Sequence, residues 1–244
     1  LSKNPSLREK MVIATKCGIR FRGVPYPNSP QRYDFSAEHI IRSCEESLVR
    51  LNTDVIDLYQ LHRPDYLMNP EEIAEAFTKL HQKGKVRFFG VSNFTASQVD
   101  LLRSASSDIH FTSVHQVEIS LLNRYAMETG LLDQCQIQRM TPLAWSPLAG
   151  GVLGDSYTPT EENLKKFPTL EDTQRTLDEI AREHQTTRSV VALAWLLNHP
   201  SGIIPIVGSV KPERIHQFTQ ADEVNLNREE WYKLLLAARG EPLP

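Results

Sequence analysis

The chain has 244 residues, of which 40% are hydrophobic and 23% are charged, and its formal net charge is −3. This composition is typical of a soluble globular protein with a sizeable core, and it excludes the strongly basic field of a nucleic-acid-binding protein. No segment predicts a membrane span or a secretory signal, so we expect a cytoplasmic protein whose partners are small molecules rather than nucleic acid or membrane.

The first half of the chain alternates short apolar runs, which predict strands, with amphipathic stretches, which predict helices. In chain order, the predicted elements are a strand at Met11–Thr15, an exposed loop at Gly18–Phe35, a helix at Ser36–Leu51, a buried strand within Asp54–Asp65, a helix at Pro70–Leu80, a strand at Val86–Val91 and a helix at Thr95–Leu102. The buried strand delivers His62 to its C-terminal end, which is where parallel sheets carry functional groups.

The second half continues the alternation. Its predicted elements are a strand at Phe111–Val117, a helix at Tyr125–Met140, a strand at Thr141–Trp145, a polar excursion at Gly154–Pro168, helices at Thr169–His184 and Ser189–Leu197, a strand at Gly202–Val207, a helix that starts within Gly208–Arg214 and a closing helix at Asn227–Ala238. Six strands in strict alternation with helices favour one α/β domain over residues 1–244, built on a parallel sheet that is either open and doubly wound or closed as a barrel. The first strand is not followed by a GxGxxG pattern, which weighs against a dinucleotide-binding doubly wound sheet.

The cysteines and histidines predict no metal site. Cys17, Cys44 and Cys135 lie far apart inside apolar patterns, so we expect buried thiols rather than disulfides or metal ligands. The histidines form neither HxH nor HExxH spacings. The polar side chains at the strand ends therefore remain as the candidates for chemistry.

Several motifs at these strand ends occur in the order found in one known family. They are Ala14–Gly18 (ATKCG), Asp57–His62 (DLYQLH), Gly84–Arg87 (GKVR), Gly90–Phe94 (GVSNF), Gln116–Glu118 (QVE), Ala144–Gly151 (AWSPLAGG) and Pro205–Ser209 (PIVGS). In this succession the chain resembles the aldo-keto reductase family from Met11 onward. The resemblance implies a (β/α)8 barrel (TIM barrel) that binds a nicotinamide dinucleotide, preferably NADPH, and reduces aldehydes or ketones.

The resemblance also implies a catalytic set of an Asp, a Tyr, a Lys and a His. Lys16 and His62 match the lysine and the histidine of that set. The Asp and the Tyr belong to two strands that precede the lysine strand, and Leu1–Lys10 is too short to hold them. We therefore expect an N-terminally incomplete sequence that lacks about two strands of the barrel; a naturally degenerate barrel is the alternative.

Carbonyl reduction gives these two residues distinct roles. A hydride that reaches a carbonyl carbon leaves negative charge on the oxygen, which then needs a proton donor and cationic or hydrogen-bonding support. The Lys16 ammonium would lower the pKa of a neighbouring tyrosine that donates the proton. His62, at the next strand end, would orient the carbonyl through one ring N–H.

A second set of residues is predicted to bind the nicotinamide end of the cofactor. Ser92, Asn93 and Gln116 supply the hydrogen-bond donors and acceptors that a carboxamide needs. Trp145, at a strand end before Ser-Pro, offers a flat face on which the nicotinamide ring can stack.

The phosphates and the adenine are predicted to bind two later loops. Ser146, Leu148 and Gly150 would approach the pyrophosphate, because their loop carries little side-chain bulk. The loop that opens the next helix supplies backbone N–H groups and two cations suited to the 2′-phosphate of NADPH; its residues are Gly208, Ser209, Val210, Lys211 and Arg214. Gln217 is a candidate adenine contact, since Gln217 and Phe218 stand where many family members carry a Glu-Asn pair.

Two other functions remain open at this point. The chain could be a nucleotide-binding regulatory or interaction subunit with little catalytic activity, or an unrelated barrel enzyme that uses Lys16 as a Schiff-base amine. A small carbonyl compound is the expected substrate, but the variable loops name no particular molecule. A monomer is compatible with the sequence, which does not determine the oligomeric state.

Overall fold

The computed structural model describes residues 5–106 and 112–243. The strands of these residues are β1 (Ala14–Cys17), β2 (Ile19–Arg20), β3 (Arg32–Tyr33), β4 (Ile56–Leu61), β5 (Val86–Ser92), β6 (Val114–Glu118), β7 (Thr141–Trp145) and β8 (Ile204–Pro205). Within the described ranges, β1, β4, β5, β6, β7 and β8 lie in that order in one sheet, and the pairs defined by register are parallel. The α/β prediction is confirmed, and sequential parallel strands are the order found in (β/α)8 barrels.

Helices follow most of these strands. Over the described residues they are α1 (Ala37–Leu51), α2 (Pro70–Gln82), α3 (Ala96–Ser104), α4 (Tyr125–Glu128), α5 (Leu131–Gln138), α6 (Glu161–Lys166), α7 (Leu170–Glu183), α8 (Arg188–Leu197), α9 (Pro212–Thr219) and α10 (Arg228–Arg239). None of the helices in these ranges combines the length and the apolar character needed to cross a bilayer.

Several predicted elements differ from the observed ones. The first strand, predicted at Met11–Thr15, is β1 at Ala14–Cys17, and the last, predicted at Gly202–Val207, is β8 at Ile204–Pro205. The helix predicted at Tyr125–Met140 is wrong as a single element, because Gly130 adopts a left-handed φ of 75° and separates α4 from α5. The loop at Gly18–Phe35 contains the antiparallel pair β2 and β3, and the excursion at Gly154–Pro168 contains α6. The strand predicted at Phe111–Val117 is observed as β6, and its first predicted residue lies outside the described residues.

The described residues divide into two compact units, and the prediction of one domain stays a prediction. The first unit comprises Leu1–Gln116 and Gln138–Met140, and the second comprises Val117–Ile137 and Thr141–Pro244. In the first unit, every position of β4 is buried, and the stacked rings of Phe77 and Phe89 fill the core with centroids 4.0 Å apart. A fully buried strand has no exposed face, so its end is held at a defined position.

Two tryptophans organise the core of the second unit. Trp195 on α8 and Trp231 on α10 stack with ring centroids 4.9 Å apart. The indole N–H of each donates to the backbone carbonyl of the other, at 3.2 and 2.9 Å. This reciprocal pair satisfies both indole donors, leaves Trp195 fully buried and Trp231 half-buried, and joins α8 to α10.

Local signals explain how α1 leads into β4. The Ser36 hydroxyl accepts a hydrogen bond from the backbone N–H of His39, which caps the start of α1. Asn52 ends the helix with a left-handed φ of 50°. The chain then turns into β4, where the Tyr59 hydroxyl donates to the Ile40 carbonyl at 3.0 Å and ties strand to helix.

All three cysteines are free and buried, as predicted. Burial raises the pKa of the Cys17, Cys44 and Cys135 thiols to about 12, so these side chains stay protonated and act as small apolar groups.

A buried carboxylate anchors the N-terminal end of β4. Asp57 accepts a hydrogen bond from the Ile13 backbone N–H at 2.8 Å, and it pairs with Arg8 and Arg87, each at 2.8 Å. Burial opposes ionisation of this carboxyl, but the Ile13 N–H and the Arg8 guanidinium outweigh it and lower the pKa of Asp57. The ionised side chain therefore stabilises the folded state at neutral pH.

Replacing Asp57 should destabilise the first unit. Asp57→Asn removes the charge from a group that satisfies three donors, so the free energy of unfolding at pH 7 should fall by about 2–3 kcal/mol in a urea titration. A carboxyl with a lowered pKa contributes stability above its ordinary pKa, and this is lost as the pH falls through the folded value. The difference between the two proteins should therefore shrink on acidification. Asp54→Asn, at an exposed position, is the control and should leave stability unchanged; an equal loss in both variants would contradict the role of Asp57.

Candidate active site

Lys16 projects from β1 into a polar site of the first unit. Its ammonium donates a hydrogen bond to Gln116 Oε1 at 3.0 Å. None of the ion pairs found among the described residues joins Lys16 to a carboxylate. Burial lowers the pKa of Lys16, because the charged form is only partly solvated. Lys16 is thus a half-buried cation that is available to an anionic or oxygen ligand.

His62 follows β4 directly and lies near Lys16. Its backbone N–H donates to the Cys17 carbonyl at 2.9 Å, which joins the C-terminal ends of β1 and β4. Burial lowers the pKa of His62, and the positive charges of Lys16 and Arg63 lower it further. The imidazole is therefore neutral at pH 7 and keeps one ring N–H for donation.

Lys16 and His62 also line the same cavity, which has a volume of about 850 Å³. The register of the sheet explains this, because Lys16 on β1 is the partner of Gln60 on β4, and His62 comes two residues after Gln60. Partners in a parallel sheet, and residues two apart on one strand, point to the same face. The structure brings the two predicted catalytic residues together.

Three predicted nicotinamide contacts cluster at the ends of β5 and β6. Ser92 pairs with Gln116 in the register of the two strands, and both side chains are buried. Asn93 adopts a left-handed φ of 63°; its amide nitrogen donates to Ser92 Oγ at 2.8 Å and to the His62 carbonyl at 3.2 Å. Its backbone N–H donates to the Gln116 carbonyl at 2.9 Å. Asn93 therefore clamps three strand ends, and its amide N–H groups are already used inside the protein.

The second unit places six of the predicted cofactor residues around one cavity of about 380 Å³. They are Ser146, Leu148, Gly150, Gly208, Ser209 and Arg214. Val210 and Lys211 do not line this cavity and are exposed. Trp145 closes β7 just before the cavity loop and is half-buried, so it is not part of the sealed core.

The loop after β7 is shaped by unusual backbone conformations. Ser146, Ala149, Gly150 and Gly151 all have left-handed φ values, from 50° to 97°. Short backbone hydrogen bonds hold the loop, among them Ala149 N–H to the Ser146 carbonyl at 2.8 Å and Gly151 N–H to the Leu148 carbonyl at 2.9 Å. A Cβ built on Gly150 or Gly151 would meet no atom within 4 Å, so open space faces these glycines. The loop can accept a bulky group close to its backbone.

Helix α9 gives the same region a positive end. Pro212 occupies its first turn. The Lys211 N–H before it donates to Ser209 Oγ at 3.2 Å, and the Arg214 N–H donates to the Lys211 carbonyl at 3.1 Å. Among the described residues, neither Lys211 nor Arg214 forms an ion pair with a carboxylate. Two uncompensated cations and a helix N-terminus attract an anion such as a phosphate.

Gln217 belongs to a polar network that sequence reasoning missed. Its amide nitrogen donates to Asp155 Oδ2 at 3.0 Å and to Thr187 Oγ1 at 2.8 Å. Asp155 Oδ1 accepts from the Ser189 backbone N–H at 2.7 Å, in the first turn of α8. Asp155 and Gln217, with Arg214, line a cavity of about 360 Å³. Because Asp155 lies 62 residues from Gln217, no local pattern could have paired them.

Comparison with known proteins places the chain in a family. Residues 1–235 match the model of the aldo/keto reductase family. A 6-dehydroglucose reductase from Novosphingobium aromaticivorans is 41% identical to this chain; the match covers 100% of this chain and 74% of the relative. Oxidoreductase YdhF of Escherichia coli is 40% identical, and the match covers 98% of this chain and 76% of the relative. A crystal structure of the thermostable aldo-keto reductase Tm1743 with the inhibitor epalrestat matches 94% of this chain and 72% of its own, with a TM-score of 0.73 and 30% identity. The chain belongs to the aldo/keto reductase family, and its relatives are oxidoreductases.

The charge of Lys16 should control the protonation of His62. Lys16→Met removes a positive charge that disfavours the imidazolium, so the pKa of His62 should rise towards its ordinary value in an NMR titration of the ring protons. Lys10→Met, at an exposed position, is the matched control and should leave the titration of His62 unchanged. An unchanged or lower pKa of His62 in Lys16→Met would show that the two side chains do not interact.

Proposed function

We propose that this protein reduces aldehydes or ketones to alcohols with NADPH as the hydride donor. The observation that carries the proposal is the pairing of Lys16 and His62 at neighbouring strand ends, on the wall of one cavity. Membership of the aldo/keto reductase family, whose members use nicotinamide cofactors, and the reductase names of its relatives support it. A small carbonyl compound is the proposed substrate.

Each residue of the pair has a role that its surroundings favour. When bound, the reduced cofactor supplies the hydride that the carbonyl carbon accepts. The Lys16 ammonium, which has no carboxylate ion pair among the described residues, stabilises the negative charge that develops on the carbonyl oxygen or on the group that protonates it. His62, kept neutral by burial and by Lys16, donates its ring N–H to that oxygen and fixes the orientation of the carbonyl.

The nicotinamide end of the cofactor is assigned to the strand ends. Ser92 and Gln116 are buried polar groups with the chemistry to bind a carboxamide, and Asn93 holds them in place, with its amide oxygen as the group that could face the ligand. Trp145 is half-buried and offers its ring face for stacking.

The residues of the second unit fit the phosphates of the cofactor. The open backbone at Gly150 and Gly151 leaves room for a pyrophosphate beside Ser146 and Leu148. Gly208, Ser209 and Val210 lead into α9, where backbone N–H groups suit an anion, and Lys211 and Arg214 supply charge for the 2′-phosphate that distinguishes NADPH from NADH. Gln217 is assigned to the adenine.

The preference for NADPH should depend on the two cations of α9. Lys211→Ala combined with Arg214→Ala should raise the Kd of NADPH about tenfold or more and leave the Kd of NADH nearly unchanged, because charge-assisted hydrogen bonds to the 2′-phosphate are lost. Fluorescence titration measures both constants. Lys165→Ala combined with Lys166→Ala removes the same charge from exposed positions of α6 and should change neither. Equal weakening of both cofactors would contradict the assignment.

The loss of His62 should impair catalysis but not the binding of NADPH. His62→Ala should lower kcat roughly a hundredfold, because the oxygen loses its hydrogen-bond donor, while NADPH binds as before. Steady-state kinetics and cofactor titration on the same sample separate the two effects. His81→Ala, at an exposed position at the end of α2, is the control.

The same experiment decides between the two open functions. A protein that binds NADPH but turns over no carbonyl compound, with or without His62, would be a nucleotide-binding subunit rather than a reductase. Turnover that is equal in His62→Ala and in the unmodified protein would remove His62 from the mechanism.

A further inference from the structure

Gln60 is a buried polar residue that the proposed mechanism does not use. It lies in β4 with 1% of its surface exposed. Among the described residues, its amide nitrogen has no hydrogen-bond partner. Buried donors in proteins are nearly always hydrogen-bonded, because an unsatisfied one loses its water without compensation. We therefore expect a hydrogen-bond acceptor beside the Gln60 amide nitrogen.

The register of the sheet places Gln60 beside Lys16. Gln60 is the partner of Lys16 on β1 and of Gly90 on β5, so the three residues form one row across the sheet. A Cβ built on Gly90 would lie 3.5 Å from Gln60 Cγ, so the Gln60 side chain lies on the face to which that Cβ would point. The hydrogen bond from Lys16 on β1 to Gln116 on β6 crosses this row. The orphaned amide thus shares a face with the ammonium.

The charges around Lys16 offer it little compensation. The other titratable and charged groups that line its cavity come from β1, from the position after β4, from the β2–β3 hairpin and from α1; they are Cys17, His62, Arg20, Arg32, His39, Arg42, Glu46 and Arg50. Glu46 is the one acid of this set, and it is paired with Arg42 and Arg50 at 3.9 and 3.6 Å. The ammonium, which has three N–H donors, can therefore donate to an oxygen acceptor besides Gln116.

We infer that Gln60 is a positioning residue for Lys16: its amide nitrogen and the Lys16 ammonium donate to the same oxygen acceptor. This inference rests on the proposed function in one respect: the proposed function is what gives Lys16 a role in reduction. One shared oxygen satisfies the orphaned donor and partly offsets the burial of the cation. It also keeps Lys16 in place when Gln116 turns to another ligand. An internal water or a carboxylate supplies such an oxygen.

Two substitutions of Gln60 should move the titration of Lys16 in opposite directions. Gln60→Leu removes the anchor of the acceptor, so the midpoint of the Lys16 titration, followed by NMR of its Nζ and ε-methylene group, should fall by about one pH unit. Gln60→Glu puts a carboxylate in register with the ammonium and should raise the midpoint by a similar amount. The Gln60→Leu shift is the decisive one, because a carboxylate beside the ammonium raises the midpoint whatever Gln60 does, whereas a side chain that only fills space could be replaced by leucine without a shift. The NMR signal of Lys16 is identified as the one that disappears in the Lys16→Arg variant.

Gln174→Leu is the matched control. Gln174 is a buried glutamine of the second unit whose amide donates to the Val152 carbonyl at 2.7 Å, so its loss should leave Lys16 unaffected. A high-resolution crystal structure of the unmodified protein provides a second measurement that does not depend on the variants. A rounded peak within hydrogen-bond distance of Gln60 Nε2 identifies a water, and planar density continuous with a side chain or a ligand identifies a carboxylate.

The outcomes separate this inference from the proposed function. Shifts in one direction only, no shift, or an amide nitrogen without any oxygen neighbour in the crystal would each overturn the role of Gln60. If the protein reduces carbonyl compounds but the Gln60 variants do not shift the midpoint of the Lys16 titration, the proposed function is supported and the role of Gln60 is refuted. Opposite shifts in a protein without reductase activity would support the role of Gln60 and refute the proposed function.

Discussion

The candidate active site depends on the register between β1, β4 and β5. This register sets Lys16, Gln60 and Gly90 in one row and brings His62 to the end of β4 on the same face. All six positions of β4 are buried, so a shift by one residue would turn its apolar side chains and its functional ones to the wrong faces. The positions of Lys16 and His62 are therefore a consequence of core packing.

Gly90 adds a steric condition to that register. A Cβ at this position would lie 2.4 Å from Val114 Cγ2 and 2.8 Å from the Val114 carbonyl oxygen. The missing side chain lets β5 and β6 pair closely, and the Val114 side chain occupies the place where a Cβ would lie. The glycine in the GVSN motif is thus required by packing, while the residues after it carry polar chemistry.

Local patterns predicted the elements whose causes are local. The Ser36 cap, Pro70 in the first turn of α2 and the apolar run of β4 each act within a few residues, and each appears where the pattern placed it. Lys16 and His62 could be placed near each other because strand ends meet at one edge of a parallel sheet. Sequence patterns could not predict the roles of Asp155 and Gln60, because these depend on distant partners. They could not predict the break at Gly130 either, because it depends on a single backbone angle.

Among the described residues other than glycine, six have a positive φ; three of them follow helices, and the other three lie at or beyond strand ends. Asn93 follows β5 and Ser146 follows β7, and Ala149 lies in the loop beyond; none of these residues has the freedom of glycine at positive φ. Each such conformation costs energy, which the surrounding hydrogen bonds offset: Asn93 binds three strand ends, and the Ser146 carbonyl accepts the Ala149 N–H. Because these bonds close the ends of strands whose positions the core already determines, the loops that we propose to bind the cofactor have their shape before any ligand arrives, so binding need not supply the energy to form them.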